Sequence, residues 1–286
     1  MKPVWLRQKL VPEHLSAPVQ RALHAHGLHS VCEAAACPNR GRCYADGTAT
    51  FLILGPVCSR DCGYCAIESG VPHPVDATEP IRLAAAARAL NLRHVVITSV
   101  TRDDLADGGA AQFRATIEQV RRVDPDMVIE VLIPDFQGSA TALEQIVAVR
   151  PHVLNHNLET VERFYADVRP QADYSRSLQL LQRVSTRSTE ILVKSGLMLG
   201  LGEEADEIEQ VLQDLRASGC QMLTLGQYLQ PTRQHVPVQR YLSPQEFEYW
   251  RGRALAMGFT SVVSGPLVRS SWRAAASWRA CHSTIA

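Results

Sequence analysis

Short apolar runs alternate with amphipathic stretches along most of the chain after residue 50. The apolar runs that are candidate strands begin at Phe51, His94, Met127, Val153, Ile191, Met222 and Ser261. The stretches with helical spacing of apolar residues are Pro80–Leu90, Ala110–Val123, Ala140–Val149, Ser175–Val184 and Ala205–Ser218. This alternation predicts an α/β fold built from βα units with parallel strands. Six or seven such units suit a partial or full (β/α) barrel of the TIM type.

Local signals mark several element ends. Ser243–Glu246 reads Ser-Pro-Gln-Glu, a capping box with proline at the first helical position. Gly219 and Gly258 stand where a helix is expected to stop in a left-handed conformation. The first fifty residues show no clear periodicity. We therefore predict an N-terminal extension over residues 1–49, a barrel over residues 50–264 and a C-terminal extension over residues 265–286.

Composition narrows the function classes. The chain has 286 residues, 46% of them hydrophobic, and a formal net charge of zero. Zero net charge argues against a general nucleic-acid or membrane binder. The start lacks the apolar segment of a secretory signal, and no apolar run reaches 18 residues. We expect a cytoplasmic protein, in which eight cysteines act as metal ligands or free thiols rather than as disulfides.

Charge is unevenly distributed near the C-terminus. Residues 231–286 hold seven arginines and no lysine, against the two acids Glu246 and Glu248. Such a segment is either a solvated face or a docking surface for an acidic partner. Both interpretations stay open at this point.

Three cysteines form what we call the loop triad: Cys58, Cys62 and Cys65, with spacing C-x3-C-x2-C. They follow the first predicted strand, and active sites of barrels lie on the loops at the C-terminal ends of strands. Three thiolates can hold three irons of a [4Fe–4S] cluster and leave the fourth iron open to a small molecule. The alternative is a zinc knuckle, but zinc normally takes four ligands and no nearby cysteine or histidine completes the set.

A second group, which we call the N-terminal triad, is Cys32, Cys37 and Cys43, with spacing C-x4-C-x5-C. On its own this spacing is also that of scattered buried cysteines. Because the loop triad follows fifteen residues later, the spacing becomes a much stronger signal for metal binding. Of the other two cysteines, Cys220 is interpreted as a core residue and Cys281 as a spare thiol near the terminus.

The loop triad is the signature of the radical S-adenosylmethionine superfamily, and the two triads together resemble the lipoyl synthase family. The resemblance extends over nearly the whole chain. Its marks are Lys2–Arg7, Gly47–Gly55, Thr101–Ala110, Leu132–Gly138, Asn155–Thr160, Lys194–Glu203 and Gly226–Thr232.

The resemblance implies a sulfurtransferase with two [4Fe–4S] clusters and S-adenosylmethionine as cofactors. In the family, the loop triad's cluster cleaves S-adenosylmethionine to a 5′-deoxyadenosyl radical, and the N-terminal triad holds an auxiliary cluster that gives up sulfur. The product carries sulfur at C6 and C8 of a protein-bound octanoyl-lysine, with two S-adenosylmethionine consumed. No side chain is acidic or basic enough to remove hydrogen from those carbons, so the cofactors supply the chemistry.

The family also implies further site residues. Its auxiliary cluster takes a serine from an Arg-Ser-Ser-Tyr motif, which implies Ser271 within Arg269–Trp272, with tryptophan in place of tyrosine. The run that supports the adenosyl group corresponds to Gly196, Met198, Gly200 and Glu203, with methionine in place of isoleucine. Asn157 and Glu159 stand where the superfamily places ribose-binding groups; the alternative is that they cap the following helix.

Polar residues after the second strand and inside the fifth have open roles. Asp103, Asp104 and Asp107 either anchor an active-site loop, contact the methionyl amine or form a solvated turn, and Arg102 is a candidate partner for one of them. Lys194 lies in an apolar strand, where an unpaired charge is costly, and is a candidate for holding an anionic group.

The partners implied by the resemblance are octanoylated lipoyl-domain proteins, namely E2 subunits of dehydrogenase complexes and the glycine cleavage H protein. An electron donor and an iron–sulfur carrier are implied as well, and nucleic acid and membrane are not expected as partners. Two alternatives remain: a divergent radical enzyme of the family that acts on another acyl chain or needs a partner subunit, and a non-catalytic iron–sulfur carrier or zinc scaffold.

Overall fold

The computed structural model describes residues 2–8 and 10–285. Residue contacts divide the chain into two units, which are described separately. The N-terminal unit comprises residues 9–60 and 66–152, and the C-terminal unit comprises residues 1–8, 61–65 and 153–286.

The N-terminal unit contains four strands of a sheet in the order β1-β2-β5-β6, in which β1 is antiparallel to β2 and the other pairs are parallel. A separate short parallel pair, β3 and β4, follows β2 along the chain. The elements are α1 Glu13–Ala25, β1 His29–Ser30, α2 Val31–Ala34, α3 Arg40–Ala45, β2 Thr50–Ile53, β3 Val57–Cys58, β4 Glu68–Ser69, α4 Glu79–Ala89, β5 His94–Ser99, α5 Ala110–Val123, β6 Val128–Leu132 and α6 Ala140–Ala148.

The C-terminal unit contains four parallel strands in the order β7-β8-β9-β10. Its strands and α-helices are β7 Val153–Asn155, α7 Tyr165–Val168, α8 Tyr174–Arg187, β8 Leu192–Leu199, α9 Ala205–Ala217, β9 Met222–Gln227, α10 Pro244–Ala256, β10 Ser261–Gly265 and α11 Ala274–Ile285. Single 3-10 turns occur at Val4–Leu6 and Glu162–Phe164 in this unit, and at Phe136–Gly138 in the N-terminal unit.

Burial in each unit follows from parallel pairing. All four residues of β2 are buried, and so are seven of the eight residues of β8. The exception in β8 is Met198, which is partly buried. Strands covered by helices on both faces lose the alternation of polar and apolar residues and read as continuous apolar runs. Amphipathic helices bury one stripe against them, as α5 does with Phe113, Ile117 and Val120.

The predicted elements are confirmed closely. All seven predicted strands are present, and each begins within one residue of its predicted start. Ser243 Oγ accepts the N–H of Glu246 at 3.2 Å while Glu246 Oε2 accepts the N–H of Ser243 at 2.8 Å, which confirms the capping box. Gly219 and Gly258 have φ of 82° and 93°, in the left-handed region that their stop role requires.

The first fifty residues are more regular than their pattern suggested. Helix α1 spans Glu13–Ala25 and buries Val19 and Leu23, four residues apart on one face. Pro18 lies inside the helix and removes one intrahelical hydrogen bond, which weakens the local signal for a helix. Within residues 2–8 and 10–285, no helix combines the length and the apolar character needed to cross a membrane.

Candidate functional site

Cys58 ends strand β3, and its sulfur is held by the backbone. Its Sγ accepts the N–H of Arg60 at 3.4 Å and the N–H of Thr101 at 3.3 Å. Its carbonyl accepts the N–H of Gly70 at 2.9 Å, next to the β3–β4 pair. Two backbone N–H groups therefore already point at this sulfur, which fixes its position next to Arg60 and Thr101.

Arg60, two residues after Cys58, anchors this segment through two ion pairs. Its Nε donates to Asp103 Oδ2 at 2.6 Å, and its Nη2 donates to Asp135 Oδ1 at 2.6 Å. Burial lowers the pKa of Arg60, but the two carboxylates raise it by more, so its pKa lies above the usual value. Asp103 therefore anchors the loop of Cys58, which was one of its predicted roles. Sequence reasoning missed Arg60, because nothing in the spacing distinguishes it.

The neighbouring acids have local partners as well. Arg102 Nε donates to Asp104 Oδ1 at 2.9 Å, which confirms that Arg102 pairs with one of the acids that follow it. The carboxylate of Asp107 accepts the N–H groups of Gly109 at 2.9 Å and Ala111 at 2.8 Å, at the start of α5. Asp107 is thus a helix-start acceptor.

Cys62 and Cys65 belong to the C-terminal unit and form a turn in which the N–H of Cys65 donates to the carbonyl of Cys62 at 3.0 Å. Gly63 between them packs closely, since a Cβ there would lie 2.9 Å from Val236 Cγ2 and 3.1 Å from the carbonyl of Asp167. The backbone of Gly63 is also bonded on both sides, to Val168 and to Val236, at 2.9 Å each. Only glycine fits this position of the loop triad.

His235 closes the same turn from the segment that follows β9. Its Nε2 lies 2.8 Å from the carbonyl of Cys65, and its Nδ1 lies 2.8 Å from Thr232 Oγ1. Tyr64, inside the triad, has a pKa raised well above its usual value, because it is buried and lies near Glu159. Sequence reasoning missed His235, which is 170 residues away from Cys65.

Asn157 and Glu159 follow strand β7 and are joined by a hydrogen bond of 2.9 Å from Asn157 Nδ2 to Glu159 Oε1. Glu159 adopts φ 68°, and its backbone bridges β8 by bonds with Gly196 (3.0 Å) and Met198 (2.8 Å). A non-glycine residue held in this conformation stores backbone strain, which clusters at functional sites. The alternative that these residues cap the next helix is wrong, since Val161 is the N-cap there and no side chain caps it.

Arg169 holds the Asn157–Glu159 segment in place and was not found from the sequence. Its Nη1 donates to the carbonyls of Asn157 at 3.0 Å and Leu158 at 2.8 Å. Burial raises the pKa of Glu159, and the charge of Arg169 with the hydrogen bonds from Asn157 and Tyr64 offsets only part of that rise. The net direction is upward.

The four residues of the adenosyl pattern have visible roles in the fold of β8 and its following turn. A Cβ at Gly196 would lie 2.5 Å from Thr224 Oγ1, and one at Gly200 would lie 2.2 Å from Gln227 Nε2. Glu203 accepts the N–H of Gly200 at 2.6 Å and fixes the turn. Met198 packs against the buried cluster of Val168, Leu201 and Tyr228. These contacts shape the strand end, and direct contact with a cofactor stays a prediction.

The N-terminal triad lies on and beside short helices of the N-terminal unit. Cys32 is in α2, the N–H of Cys37 donates to its carbonyl at 3.1 Å, and Cys43 is in α3. Burial raises the pKa of Cys32 to about 11 and that of Cys43 to about 12. Negative charge on neighbouring cysteine sulfurs of the triad raises the pKa of both groups further. Such a set is stabilised when a cationic metal group binds it.

The two triads fit iron–sulfur clusters by the chemistry of their donors, because thiolate is the usual ligand of [4Fe–4S] clusters. Among the described residues, no three His, Cys, Asp or Glu side chains gather closely enough to hold a single metal ion. Ligands of a four-iron cluster bind different irons and therefore lie farther apart than those of one ion.

Comparison with known proteins places these features in a family. The model of the radical SAM superfamily matches residues 52–215. A lipoyl synthase of Nitrosococcus oceani is 54% identical over 276 residues, which cover 96% of this chain and 85% of that protein. A lipoyl synthase of Caldanaerobacter subterraneus is 49% identical over 273 residues, which cover 96% of this chain and 95% of that protein. The chain belongs to the lipoyl synthase family.

Solved structures agree on the fold. SuiB of Streptococcus suis bound to S-adenosylmethionine has a TM-score of 0.58 at 9% identity, covering 74% of this chain and 49% of that one. Methylornithine synthase PylB has a TM-score of 0.51 at 12% identity, covering 90% and 79%. At such identities the likeness shows the fold alone. Together with the family match it confirms the predicted α/β fold of the radical SAM kind.

Membership in the lipoyl synthase family confirms the predicted function and cofactors. The chain is a sulfur-inserting radical enzyme that uses S-adenosylmethionine and two [4Fe–4S] clusters. It acts on octanoylated lipoyl-domain proteins. The non-catalytic alternatives are thereby wrong.

The first serine of the C-terminal motif is held by two side chains. Ser270 Oγ accepts a hydrogen bond from Asn155 Nδ2 at 2.6 Å and donates one to Asn157 Oδ1 at 3.1 Å. The next residue, Ser271, accepts the N–H of Ala274 through its carbonyl at 3.3 Å. The first serine of the motif is therefore committed to two asparagine side chains.

The remaining predicted residues lie in the interior of the C-terminal unit. Cys220 is fully buried, which confirms it as a core residue. The interpretation of Cys281 as a spare thiol near the terminus is corrected, because it is fully buried in a cluster with Val153, Leu192 and Met222. Lys194 is only 1% exposed, and its charge acts on the thiols of Cys220 and Cys281. Its predicted role in holding an anion stays a prediction.

Proposed function

We propose that this chain carries out sulfur insertion with its two triads in separate roles. The loop triad holds the cluster that binds S-adenosylmethionine, and the N-terminal triad with Ser271 holds the cluster that is spent. The ligands of the first are Cys58, Cys62 and Cys65, and those of the second are Cys32, Cys37, Cys43 and Ser271. One observation carries the proposal: two cysteine triads with the spacings of a lipoyl synthase occur in one chain of that family.

The division of labour follows from the chemistry. When bound, the first cluster and S-adenosylmethionine supply a primary carbon radical, and the second cluster supplies sulfide. The protein must orient the octanoyl chain and keep water and other hydrogen donors away from it. It must also hold each cysteine so that the two clusters keep different exposures and lifetimes.

Specific side chains hold the ligand cysteine and bind the cofactor. The amides of Arg60 and Thr101 stabilise the thiolate of Cys58, and the Arg60–Asp135 pair keeps its loop rigid. Asn157 and Glu159 bind the ribose hydroxyls, since a carboxylate and an amide together offer acceptors and a donor to a diol. The run of Gly196, Met198, Gly200 and Glu203 would hold the adenosyl moiety.

The choice of Ser271 as the fourth ligand is supported by the neighbouring serine. Ser270 already uses its only hydroxyl hydrogen toward Asn157 and accepts from Asn155. A hydroxyl that ligates iron must give up its proton, which would break the bond to Asn157. An alkoxide is also a weaker partner for iron than thiolate, which suits a cluster that is dismantled in each turnover.

The organisation and setting of the protein are proposed on the same basis. We keep residues 1–49 as the extension that carries the N-terminal triad, residues 50–264 as the barrel and residues 265–286 as the extension that carries Ser271. The substrates are the E2 subunits of dehydrogenase complexes and the glycine cleavage H protein. An electron donor and an iron–sulfur carrier complete the cycle. Six thiols reserved for iron require a reducing compartment, so the setting is the cytoplasm.

The experiment is an anaerobic assay with the reconstituted enzyme, reductant, S-adenosylmethionine and an octanoylated lipoyl domain, read by mass spectrometry. The expected product gains two sulfur atoms as thiols with no net change in hydrogen, and it loses two hydrogens only where the two thiols later oxidise to the cyclic disulfide. Two matched controls are the Cys62→Ala variant, which should be inactive, and the Cys220→Ser variant, which changes a cysteine outside both triads. Production of 5′-deoxyadenosine without sulfur insertion, while a different acylated protein is modified, would show a divergent activity instead.

A further inference from the structure

A continuous line of hydrogen bonds joins the C-terminal motif to the residues proposed to bind ribose. Asn155 Nδ2 donates to Ser270 Oγ at 2.6 Å, Ser270 Oγ donates to Asn157 Oδ1 at 3.1 Å, and Asn157 Nδ2 donates to Glu159 Oε1 at 2.9 Å. All four residues belong to the C-terminal unit. Asn155 and Ser270 are 115 residues apart in sequence, so the line is a tertiary feature rather than a local turn.

The direction of every bond in this line follows from the side-chain amide of Asn157. Its NH2 group donates to a carboxyl oxygen of Glu159, so its amide oxygen faces Ser270 and accepts there. Ser270 then has to donate to Asn157, and its oxygen is left to accept from Asn155. Hydrogen bonds arranged head to tail polarise one another, and removing an inner member leaves buried groups unsatisfied on both sides.

The turn formed by Arg269–Trp272 also contacts a second strand, β9. Arg269 Nη1 donates to the carbonyls of Gln227 at 3.3 Å and Val268 at 2.7 Å, beside the end of β9. Gly226 permits this approach, since a Cβ there would lie 2.2 Å from the carbonyl of Val268. The N–H of Trp272 closes the turn on the carbonyl of Arg269 at 2.8 Å. Arg269 thus ties the turn to β9, and Ser270 ties it to the segment after β7.

We propose that Ser270 is a positioning residue that couples binding of S-adenosylmethionine at Asn157 and Glu159 to the seating of the Arg269–Trp272 turn. Seating of the turn orders Asn157 for the cofactor, and the bound cofactor in turn holds the turn in place. Such coupling is reciprocal by thermodynamic necessity. Because Ser271 lies next to Ser270, the fourth ligand of the auxiliary cluster is set in place when the cofactor is present. The inference rests on the proposed function for the assignment of Asn157, Glu159 and Ser271.

The test uses the reconstituted holoenzyme under anaerobic conditions and two measurements. The first is the dissociation constant for S-adenosylmethionine by equilibrium dialysis, and the second is amide hydrogen exchange of residues 266–273 with and without S-adenosylmethionine. We expect Ser270→Ala to weaken binding roughly tenfold, in line with a buried hydrogen-bonded pair left unsatisfied. We also expect it to lose the slowing of exchange that S-adenosylmethionine produces in the unmodified enzyme.

Two variants separate positioning from a general loss of structure. Ser270→Thr keeps the hydroxyl and should restore both the affinity and the ligand-dependent slowing of exchange. Ser264→Ala also removes one serine hydrogen bond, of 2.7 Å to the carbonyl of Phe247, in the same part of the chain. It should behave like the unmodified enzyme in both measurements.

The Asn157→Ala variant distinguishes the failure of this inference from that of the proposed site. If Asn157→Ala weakens binding while Ser270→Ala leaves affinity and exchange unchanged, the site stands and the coupling is wrong. If Asn157→Ala and Ser270→Ala both leave affinity unchanged, the assignment of the ribose site fails and takes the coupling with it. Equal losses in Ser270→Ala and Ser264→Ala would reduce Ser270 to a packing role.

Discussion

The loop triad and the N-terminal triad differ in what holds their sulfurs before iron is present. Cys58 receives two backbone N–H groups on its sulfur, and the loop beneath it is locked by a buried arginine between two carboxylates. Cys32 and Cys43 are buried among short helices, and that burial raises the pKa of their thiols to about 11 and about 12. Hydrogen-bond donors already surround the sulfur of Cys58, whereas burial opposes ionisation of Cys32 and Cys43.

This contrast supports the separate roles proposed for the two clusters. A cluster used in every turnover gains from a rigid frame whose hydrogen-bond donors are already in place. A cluster that gives up its sulfide gains from ligands that return readily to the protonated form once iron leaves. In the proposed function, the different surroundings of the two triads separate retention of one cluster from release of the other, and the alkoxide of Ser271 is a further labile ligand of the second.

The largest expected effect comes from removing the loop triad. In a variant with Cys58, Cys62 and Cys65 all changed to alanine, no open iron is available, so production of 5′-deoxyadenosine should fall to the uncatalysed background. The N-terminal triad is separate and should still bind one cluster. Iron and sulfide analysis should therefore show half the content of the unmodified enzyme. Persistent 5′-deoxyadenosine would contradict the assignment of this triad.

Removing the N-terminal triad should separate cleavage of S-adenosylmethionine from sulfur insertion. A variant with Cys32, Cys37 and Cys43 changed to alanine should still cleave S-adenosylmethionine, because Cys58 and its frame are untouched. No C–S bond can form without sulfide within reach, so liquid chromatography with mass spectrometry should find 5′-deoxyadenosine and no lipoyl product. The unmodified enzyme without a reloading system should stop near one lipoyl group per chain. A cluster labelled with heavy sulfide should deliver both heavy atoms, and sulfur insertion by the triple variant would overturn the separation of roles.

The buried ion pair between Arg60 and Asp135 can be weakened to test whether it retains the cluster of the loop triad. Asp135→Asn removes one charge from the buried pair with Arg60, and breaking a buried ion pair on one side costs about 3 kcal/mol. The free energy of unfolding should fall by that order, and the loop's cluster should be lost faster on exposure to a chelator. Glu248→Gln, which breaks an exposed pair with Arg251, is the matched control and should change neither. Equal chelator rates in both variants would mean that the frame does not retain the cluster.

Most of the fold, and the cysteines, could be predicted because their signals are local. The strands read as apolar runs between helical stretches, and the triads read from their spacing. Arg60, His235 and Arg169 could not be found in this way, because each acts through a contact made only after folding. Cys281 shows the same limit, since its place near the end of the chain suggested exposure while α11 returns it to the core. Sequence spacing names the ligands, and tertiary contacts decide how firmly each is held.

Ser271 allows a smaller and more specific test of the release side of the comparison. Ser271→Ala should leave the loop triad's signal intact and change the electron paramagnetic resonance spectrum of the auxiliary cluster. Loss of one ligand position should lower the yield of lipoyl product by roughly 10- to 100-fold, the range seen when the support of a metal site is removed. Ser270→Ala should leave the ligand field of that cluster unchanged in the absence of S-adenosylmethionine. A structure with Ser270 Oγ bound to iron would refute the assignment.

The smallest effect is expected at the arginines of residues 231–286. Arg240 pairs with Glu246, Arg251 with Glu248 and Arg253 with Glu209. These pairs neutralise three of the seven arginines that a docking surface for an acidic lipoyl domain would use, which favours the solvated-face interpretation for those three. Salt should therefore raise the Michaelis constant for a whole lipoyl domain only about twofold more than that for an octanoylated peptide, because exposed pairs are weak and screened. Changing the three arginines to glutamine should remove that difference if the segment docks the domain. If the variant keeps the same difference in salt response, the lipoyl domain docks elsewhere. Control of turnover would then rest on the contrast between the two triads.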